Sequence, residues 1–178
     1  KIKNLTADIP IISEERVNLE NISKNATFWL IDPIDGTKDY IKKGGEYTLN
    51  AALIINFNLA IGVVYAPAKD RLFFSYGKNC AFEINGGKKT ILNCSKKNIN
   101  EIIGLANSNE TPDEILNIYK KHKVSKVIKM SSSLKFCILA AGEADIYAAN
   151  ARAFEWDIAA GHAILDHAGG SITTHDEK

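Results

Sequence analysis

Between residues 28 and 84 five apolar runs follow one another: FWLID (28–32), TLNAALII (48–55), LAIGVVYA (59–66), RLFFSY (71–76) and CAFEI (80–84). β-Branched and aromatic residues fill them, and Pro67, Gly77 and Gly86-Gly87 punctuate them. Strands a few residues apart imply an antiparallel meander, which restricts the first half of the chain to a sheet-based architecture. The second half reads differently. Segments 102–106, 124–129 and 144–149 are strand-like and alternate with helical signals. Thr111-Pro112-Asp113-Glu114 predicts a capping box with proline at the first helical position, opening a helix to about Lys121. Ser131-Ser132-Ser133 opens a second helix that Gly142 stops. Asp157 opens a third, stopped at Gly169-Gly170. Alternation of this kind predicts an α/β unit. The polar stretch near Asn93–Asn100 divides residues 1–97, a strand-rich half, from 98–178, an α/β half.

The chain has 178 residues, enough for a substantial core, and 46% of them are hydrophobic. A net charge of +1 supplies no field that would favour a nucleic-acid polymer or an anionic membrane. No apolar segment reaches membrane length, so stable membrane insertion is not expected. Cys80, Cys94 and Cys137 form no CxxC pair, which argues against a disulfide framework or zinc site and fits a reducing, cytoplasmic compartment. Peripheral membrane association and a homodimer both stay open.

The chemistry begins at FWLIDPIDGTKDY, residues 28–40. Proline disfavours the helical region for the residue before it, so Asp32 is expected at a strand end, pointing into a loop. Asp35 follows one turn later. Gly36 lets backbone approach a ligand, and Thr37 is expected to cap a short helix, residues 38–41. The Gly36 and Thr37 amides would then face outward where an anion binds. Asp32, the Ile34 carbonyl, Asp35 and Thr37 together offer a hard divalent cation its preferred oxygen donors. Alone, D-x-x-D more often marks a capped turn. Two further acidic sites weigh against that: Glu14-Glu15 after the apolar Ile9–Ile12, and Asp157 between Trp156 and Ile158. Each by itself reads as a solvated charge or a helix cap. Buried carboxylates need a compensating cation, and neither Glu14-Glu15, Asp32–Asp35 nor Trp156–Ile158 contains Lys or Arg.

Ser13-Glu14-Glu15, Asp32-Pro33-Ile34-Asp35-Gly36-Thr37 and Trp156-Asp157-Ile158-Ala159-Ala160-Gly161 resemble, in order, the three motifs of the inositol monophosphatase superfamily. The resemblance implies an αβαβα layered fold of the inositol monophosphatase and fructose-1,6-bisphosphatase type, with Mg²⁺-dependent phosphatase activity. Thr37–Ile41, Gly44–Asn50, Val63–Pro67 and Ser132–Cys137 resemble the 3'(2'),5'-bisphosphate nucleotidase branch, which hydrolyses adenosine 3',5'-bisphosphate to AMP in sulfur metabolism. It implies two or more Mg²⁺ ions, with Glu14, Asp32, the Ile34 carbonyl, Asp35 and Asp157 as ligands. By the same resemblance Glu14 would help place the attacking water, Thr37 would share in activating it, Asp32 would serve two metals at once, and the Gly36 and Thr37 amides would hold the phosphate.

Ser132, Ser133 and Lys135 are candidate contacts for a second phosphate, the alternative being a helix cap and a surface lysine. Asn150 and Arg152 fall where the superfamily meets the leaving group; the alternative is a solvated loop. The expected partner is a small phosphorylated molecule. His122, His162, His167 and His175 read as surface or packing residues, and Trp29 and Trp156 as core. The sequence departs from the superfamily in starting a dozen residues before Glu14, so that its N-terminal helices are expected to be missing, and in stopping soon after Gly170. Asn107-Ser108-Asn109 replaces an Arg-Ser-His-like segment of the nucleotidase branch. Three rivals therefore stand beside the nucleotidase: an inositol or other sugar phosphatase, a non-catalytic module binding Mg²⁺ or an anion, and a purely structural domain with capped turns.

Overall fold

A computed structural model describes residues 2–15, 26–94, 101–107 and 111–174. The first half forms a seven-stranded sheet whose spatial order follows the chain. Its strands are β1 (Ile11–Ser13), β2 (Thr27–Asp35), β3 (Thr48–Ile55), β4 (Asn58–Ala66), β5 (Arg71–Ser75), β6 (Ala81–Asn85) and β7 (Lys88–Ile91). From β2 onward every pairing is antiparallel, as the spacing of the apolar runs requires. β1 joins β2 in parallel, with Ile11 opposite Trp29 and Ser13 opposite Ile31. A short helix, α1 (Ile2–Leu5), precedes the sheet, and another, α2 (Thr37–Ile41), follows β2.

The second half supplies β8 (Ile103–Ala106), α3 (Asp113–Lys121), β9 (Lys126–Lys129), α4 (Leu134–Ala140), β10 (Ile146–Tyr147) and α5 (Glu155–His167). Its strands form a parallel sheet in the order β10-β8-β9. The helix α5 packs on β4 and β3 of the large sheet and against α4. Gly62 on β4 allows this contact: a Cβ there would lie 2.4 Å from the Ala160 carbonyl oxygen and 2.9 Å from the Ala163 Cβ. One apolar cluster consequently runs from Phe28, Ile54 and Phe73 through Leu134 and Ile138 to Ile164. Arg71 adds a polar tie, with its Nε 2.5 Å from Glu83 on β6 and its terminal nitrogens on Glu143, beyond α4.

Four local expectations change. β2 does not end at Asp32; it continues through Pro33 to Asp35, with a register irregularity between Asp32 and Asp35. Proline biases its predecessor toward extended backbone, and a bulge tolerates its missing N–H, so the strand passes through it. The helix α3 begins at Asp113 with Pro112 as its cap residue, and no side-chain capping bond forms. The helix α5 begins two residues before Asp157, at Glu155. The 144–149 segment is mostly irregular and contributes only the two-residue β10.

Candidate active site

Asp32 lies at the bulge of β2 and is only 1% exposed. Glu14 follows β1, and its N–H donates to the Ile31 carbonyl (3.2 Å), so the parallel pair β1–β2 delivers both acids at one sheet end. Asp35 sits at the end of the same strand, opposite Thr48. Asp157 arrives on α5, where its Oδ2 accepts the Phe154 N–H (2.9 Å). It therefore caps the helix from the third position, serving the capping function that its sequence context suggested.

These four carboxylates sense one another. Burial, then the charge of Asp35, pushes the Asp32 carboxyl up to about 7, even though the Ile34 N–H donates to its Oδ1 at 2.9 Å. Glu14 and Asp157 add to the rise. Asp157 is also raised, by burial first and then by Asp35 and Glu14. Among the described residues no ion pair within 4.0 Å relieves Asp32, Asp35 or Asp157. The nearby cation is Lys135, supplied by α4 rather than by the acidic motifs. It is not a surface lysine: it is 5% exposed, its Nζ donates to the Ser132 carbonyl (2.7 Å) and lies 5.2 Å from the Tyr147 ring centroid. Burial lowers its pKa to about 8 against the pull of Asp35 and Glu46.

Asp32, Asp35 and Asp157 each give one oxygen to protein donors. Their donor chemistry fits Mg²⁺, which takes hard oxygens, keeps several waters and needs only one or two carboxylates. Among the described residues no three His, Cys, Asp or Glu side chains are already gathered closely enough to hold a metal ion by themselves. Two buried atoms in the same strand register support a polar occupant. Thr48 Oγ1 and Asn50 Oδ1 lack hydrogen-bond partners, and they belong to the residues opposite Asp35 and Asp32. Buried polar atoms are rarely left unpaired, and a water or ion at the site would satisfy these two.

Gly36 adopts a left-handed conformation (φ 86°) as the cap residue of α2. Thr37 is thus the first helical residue rather than its cap, and its Oγ1 donates to the Ile34 carbonyl at 3.2 Å. Ser133 is turned inward, 2% exposed, with its N–H bonded to Asp35 Oδ2 and its Oγ 2.5 Å from the same oxygen. Ser132 bonds the Glu46 carbonyl through its hydroxyl. A cavity of about 1020 Å³ extends from Asp35, Ser132 and Asp157 past Lys135 and Tyr147 to Arg152. Arg152 is exposed at its wall, whereas Asn150 donates to Glu114 on α3 (2.9 Å). Asn107 accepts the Tyr147 hydroxyl (3.0 Å); Ser108 and Asn109 lie outside the described residues.

Of the described histidines, His122 lines the cavity and His162 and His167 do not. His167 is 6% exposed, with Nδ1 2.9 Å from Ser75 Oγ and accepting the Gly77 N–H. His122 is exposed, His162 half-buried, and His175 lies outside the described residues. Glu46, Thr48 and Asn50 were not among the expected site residues. One signal for the last two was present: in TLNAALII they share the buried phase with Ala52 and Ile54, so two polar side chains occupy core positions.

The whole chain, residues 1–178, matches the inositol monophosphatase family. The chain belongs to that family. Its sequence is 42% identical over 172 residues to the 3'(2'),5'-bisphosphate nucleotidase CysQ of Buchnera aphidicola, covering 96% of this chain and 64% of that protein. It is 35% identical to the Salmonella typhimurium protein of the same name, covering 98% and 70%. The chain thus spans about two thirds of the length of these relatives. The crystal structure of CysQ from Bacteroides thetaiotaomicron superposes with a TM-score of 0.83 at 31% identity, over 94% of this chain and 70% of that one. An inositol monophosphatase from Anabaena superposes at 0.79 with 27% identity, over 99% and 71%. The mixed α/β architecture is that of inositol monophosphatase-type proteins.

Proposed function

We propose that the protein is a Mg²⁺-dependent phosphatase that removes the 3'-phosphate of adenosine 3',5'-bisphosphate, giving AMP and phosphate. The observation that carries this reading is the mutual repulsion of Asp32, Asp35, Glu14 and Asp157, two of which, Asp35 and Asp157, line a large cavity. The nucleotidase relatives support the substrate.

Bound Mg²⁺ would supply charge neutralisation, a water of lowered pKa and stabilisation of the leaving oxygen. Glu14, Asp32, the Ile34 carbonyl, Asp35 and Asp157 are the groups that would hold it. Thr37 and Glu14 orient the attacking water. The first turn of α2 leaves the Gly36 and Thr37 amides without intrahelical acceptors, ready for phosphate oxygens. Lys135 gives the cavity wall a cation facing Asp35, and Arg152 a second one near its far wall. In-line displacement needs mainly such positioning and electrostatics. A small phosphorylated substrate fits the site between the two halves, in a cytoplasmic enzyme. No helix among the described residues is long and apolar enough to cross a membrane.

Asn107, tied to Tyr147 in place of the nucleotidase-like arginine, favours an inositol or sugar phosphate as the second reading. Mg²⁺-dependent phosphate release from the nucleotide and from inositol monophosphate, compared side by side, separates the two.

A further inference from the structure

Glu46 precedes β3 and has been given no role in the site above, yet its N–H, its carbonyl and one carboxylate oxygen are all engaged. Its N–H donates to Asp39 Oδ2 (2.8 Å), on α2. Its Oε2 accepts the Ser131 N–H (2.8 Å) and lies 3.3 Å from the Ser131 hydroxyl. Its carbonyl accepts the Ser132 hydroxyl. It therefore ties the first half of the chain to the turn before α4. That turn is not relaxed: Ser132 has φ +57°, a conformation unfavourable for a side-chain-bearing residue, and its surroundings must hold it.

The consequence falls on Asp35. Immediately after the tied turn, Ser133 donates its N–H to Asp35 Oδ2, and its Oγ lies 2.5 Å from that oxygen and 2.5 Å from the Asp157 carbonyl oxygen. Asn50 donates to Ser133 Oγ (2.9 Å) from below, and its Nδ2 lies 3.4 Å from the same Asp35 oxygen. The turn also walls the Gly36 loop, because a Cβ on Gly36 would lie 3.3 Å from the Ser132 Cβ. One carboxylate thus fixes a loop that fixes a second carboxylate and the edge of the phosphate cradle. We propose that Glu46 is a positioning residue: it holds the Ser131–Ser133 turn so that Ser133 aims the Asp35 carboxylate at the cation. The inference rests on the reading of Asp35 as a Mg²⁺ ligand. Outer-shell partners of ligating carboxylates commonly tune metal affinity by about 10- to 100-fold.

The test compares full-length wild type, Glu46→Gln, Glu46→Ala and Ser133→Ala. Mg²⁺ affinity is measured by calorimetry, melting temperature in the absence of Mg²⁺, and kcat and KM on adenosine 3',5'-bisphosphate. A glutamine oxygen can still accept the Ser131 N–H, so Glu46→Gln is expected to stay within about threefold of wild type. Glu46→Ala is expected to weaken Mg²⁺ binding by about 10-fold or more and to lower kcat more than it raises KM. Ser133→Ala, which leaves the turn intact, is expected to weaken Mg²⁺ binding in the same direction, and it decides the matter if Glu46→Ala does not fold. Wild-type Mg²⁺ affinity in both alanine variants would overturn the positioning role while leaving the phosphatase reading in place. A wild-type protein that binds Mg²⁺ but spares the nucleotide would overturn the substrate, and the affinity ratios would still judge Glu46. A wild type that binds no Mg²⁺ would overturn both.

Discussion

At the scale of the residue, Asp32 is a carboxyl whose charge its surroundings oppose. It is 1% exposed, and burial and its acidic neighbours push it up to about 7, so between about pH 4 and 7 the folded protein holds a proton that the unfolded chain has released. A raised carboxyl favours the folded state at low pH and loses that advantage as pH rises. Without metal, the protein is therefore expected to lose stability between about pH 4 and 7, and saturating Mg²⁺ to abolish that loss. Urea unfolding with and without chelator across this window checks it. His167 contributes the opposite slope. Burial depresses its pKa and its Nδ1 accepts the Gly77 N–H, so its share is lost as pH falls below about 6.5, with or without Mg²⁺. The acids themselves were legible in the sequence because they sit in motifs. Glu46 and Asn50 were not, because their partners Ser131 and Ser133 are more than 80 residues away, and only folding makes them neighbours.

At the scale of the element, strand positions were legible wherever apolar residues alternate with period two. β3 was expected over residues 48–55 and is found there. Departures came where local rules compete. Pro33 was read as a strand stop, but a bulge absorbs it. β7, KKTI, is exposed throughout and carries no hydrophobic phase that could have announced it. Packing between elements sets the position of Asp157, because α5 lies on β4 over a residue without a side chain. Gly62→Ala would drive a methyl group into the Ala160 carbonyl. The expected loss is about 1–3 kcal/mol of stability, from forced backbone shifts, with a lowered Mg²⁺ affinity as α5 lifts. Denaturant unfolding and calorimetry measure the two effects separately.

At the scale of the whole molecule, the two halves are joined by a shared apolar core and by Arg71. The arginine's partners differ in exposure: the Glu83 side chain is 10% exposed and that of Glu143 is 48% exposed. Arg71→Ala strands Glu83 in a buried position and is expected to cost about 3 kcal/mol. Glu143→Gln loses a largely solvated partner and is expected to cost less than about 1 kcal/mol. Equal effects in equilibrium unfolding would contradict this division. The broad architecture could be read from the sequence, since meander and alternation each leave a periodic trace. The way the halves meet could not, because Arg71 and Gly62 carry no local sign of what they face. The central claim is that this meeting builds a metal-dependent nucleotidase site. It is tested most directly by phosphate release from the full-length protein on adenosine 3',5'-bisphosphate and inositol monophosphate, with and without Mg²⁺, in wild type and Asp35→Asn. The account predicts Mg²⁺-dependent release that favours the nucleotide and falls by more than about 100-fold in Asp35→Asn, beyond what loss of an outer-shell partner ordinarily costs. Release that is indifferent to Mg²⁺, or undiminished in Asp35→Asn, would contradict it.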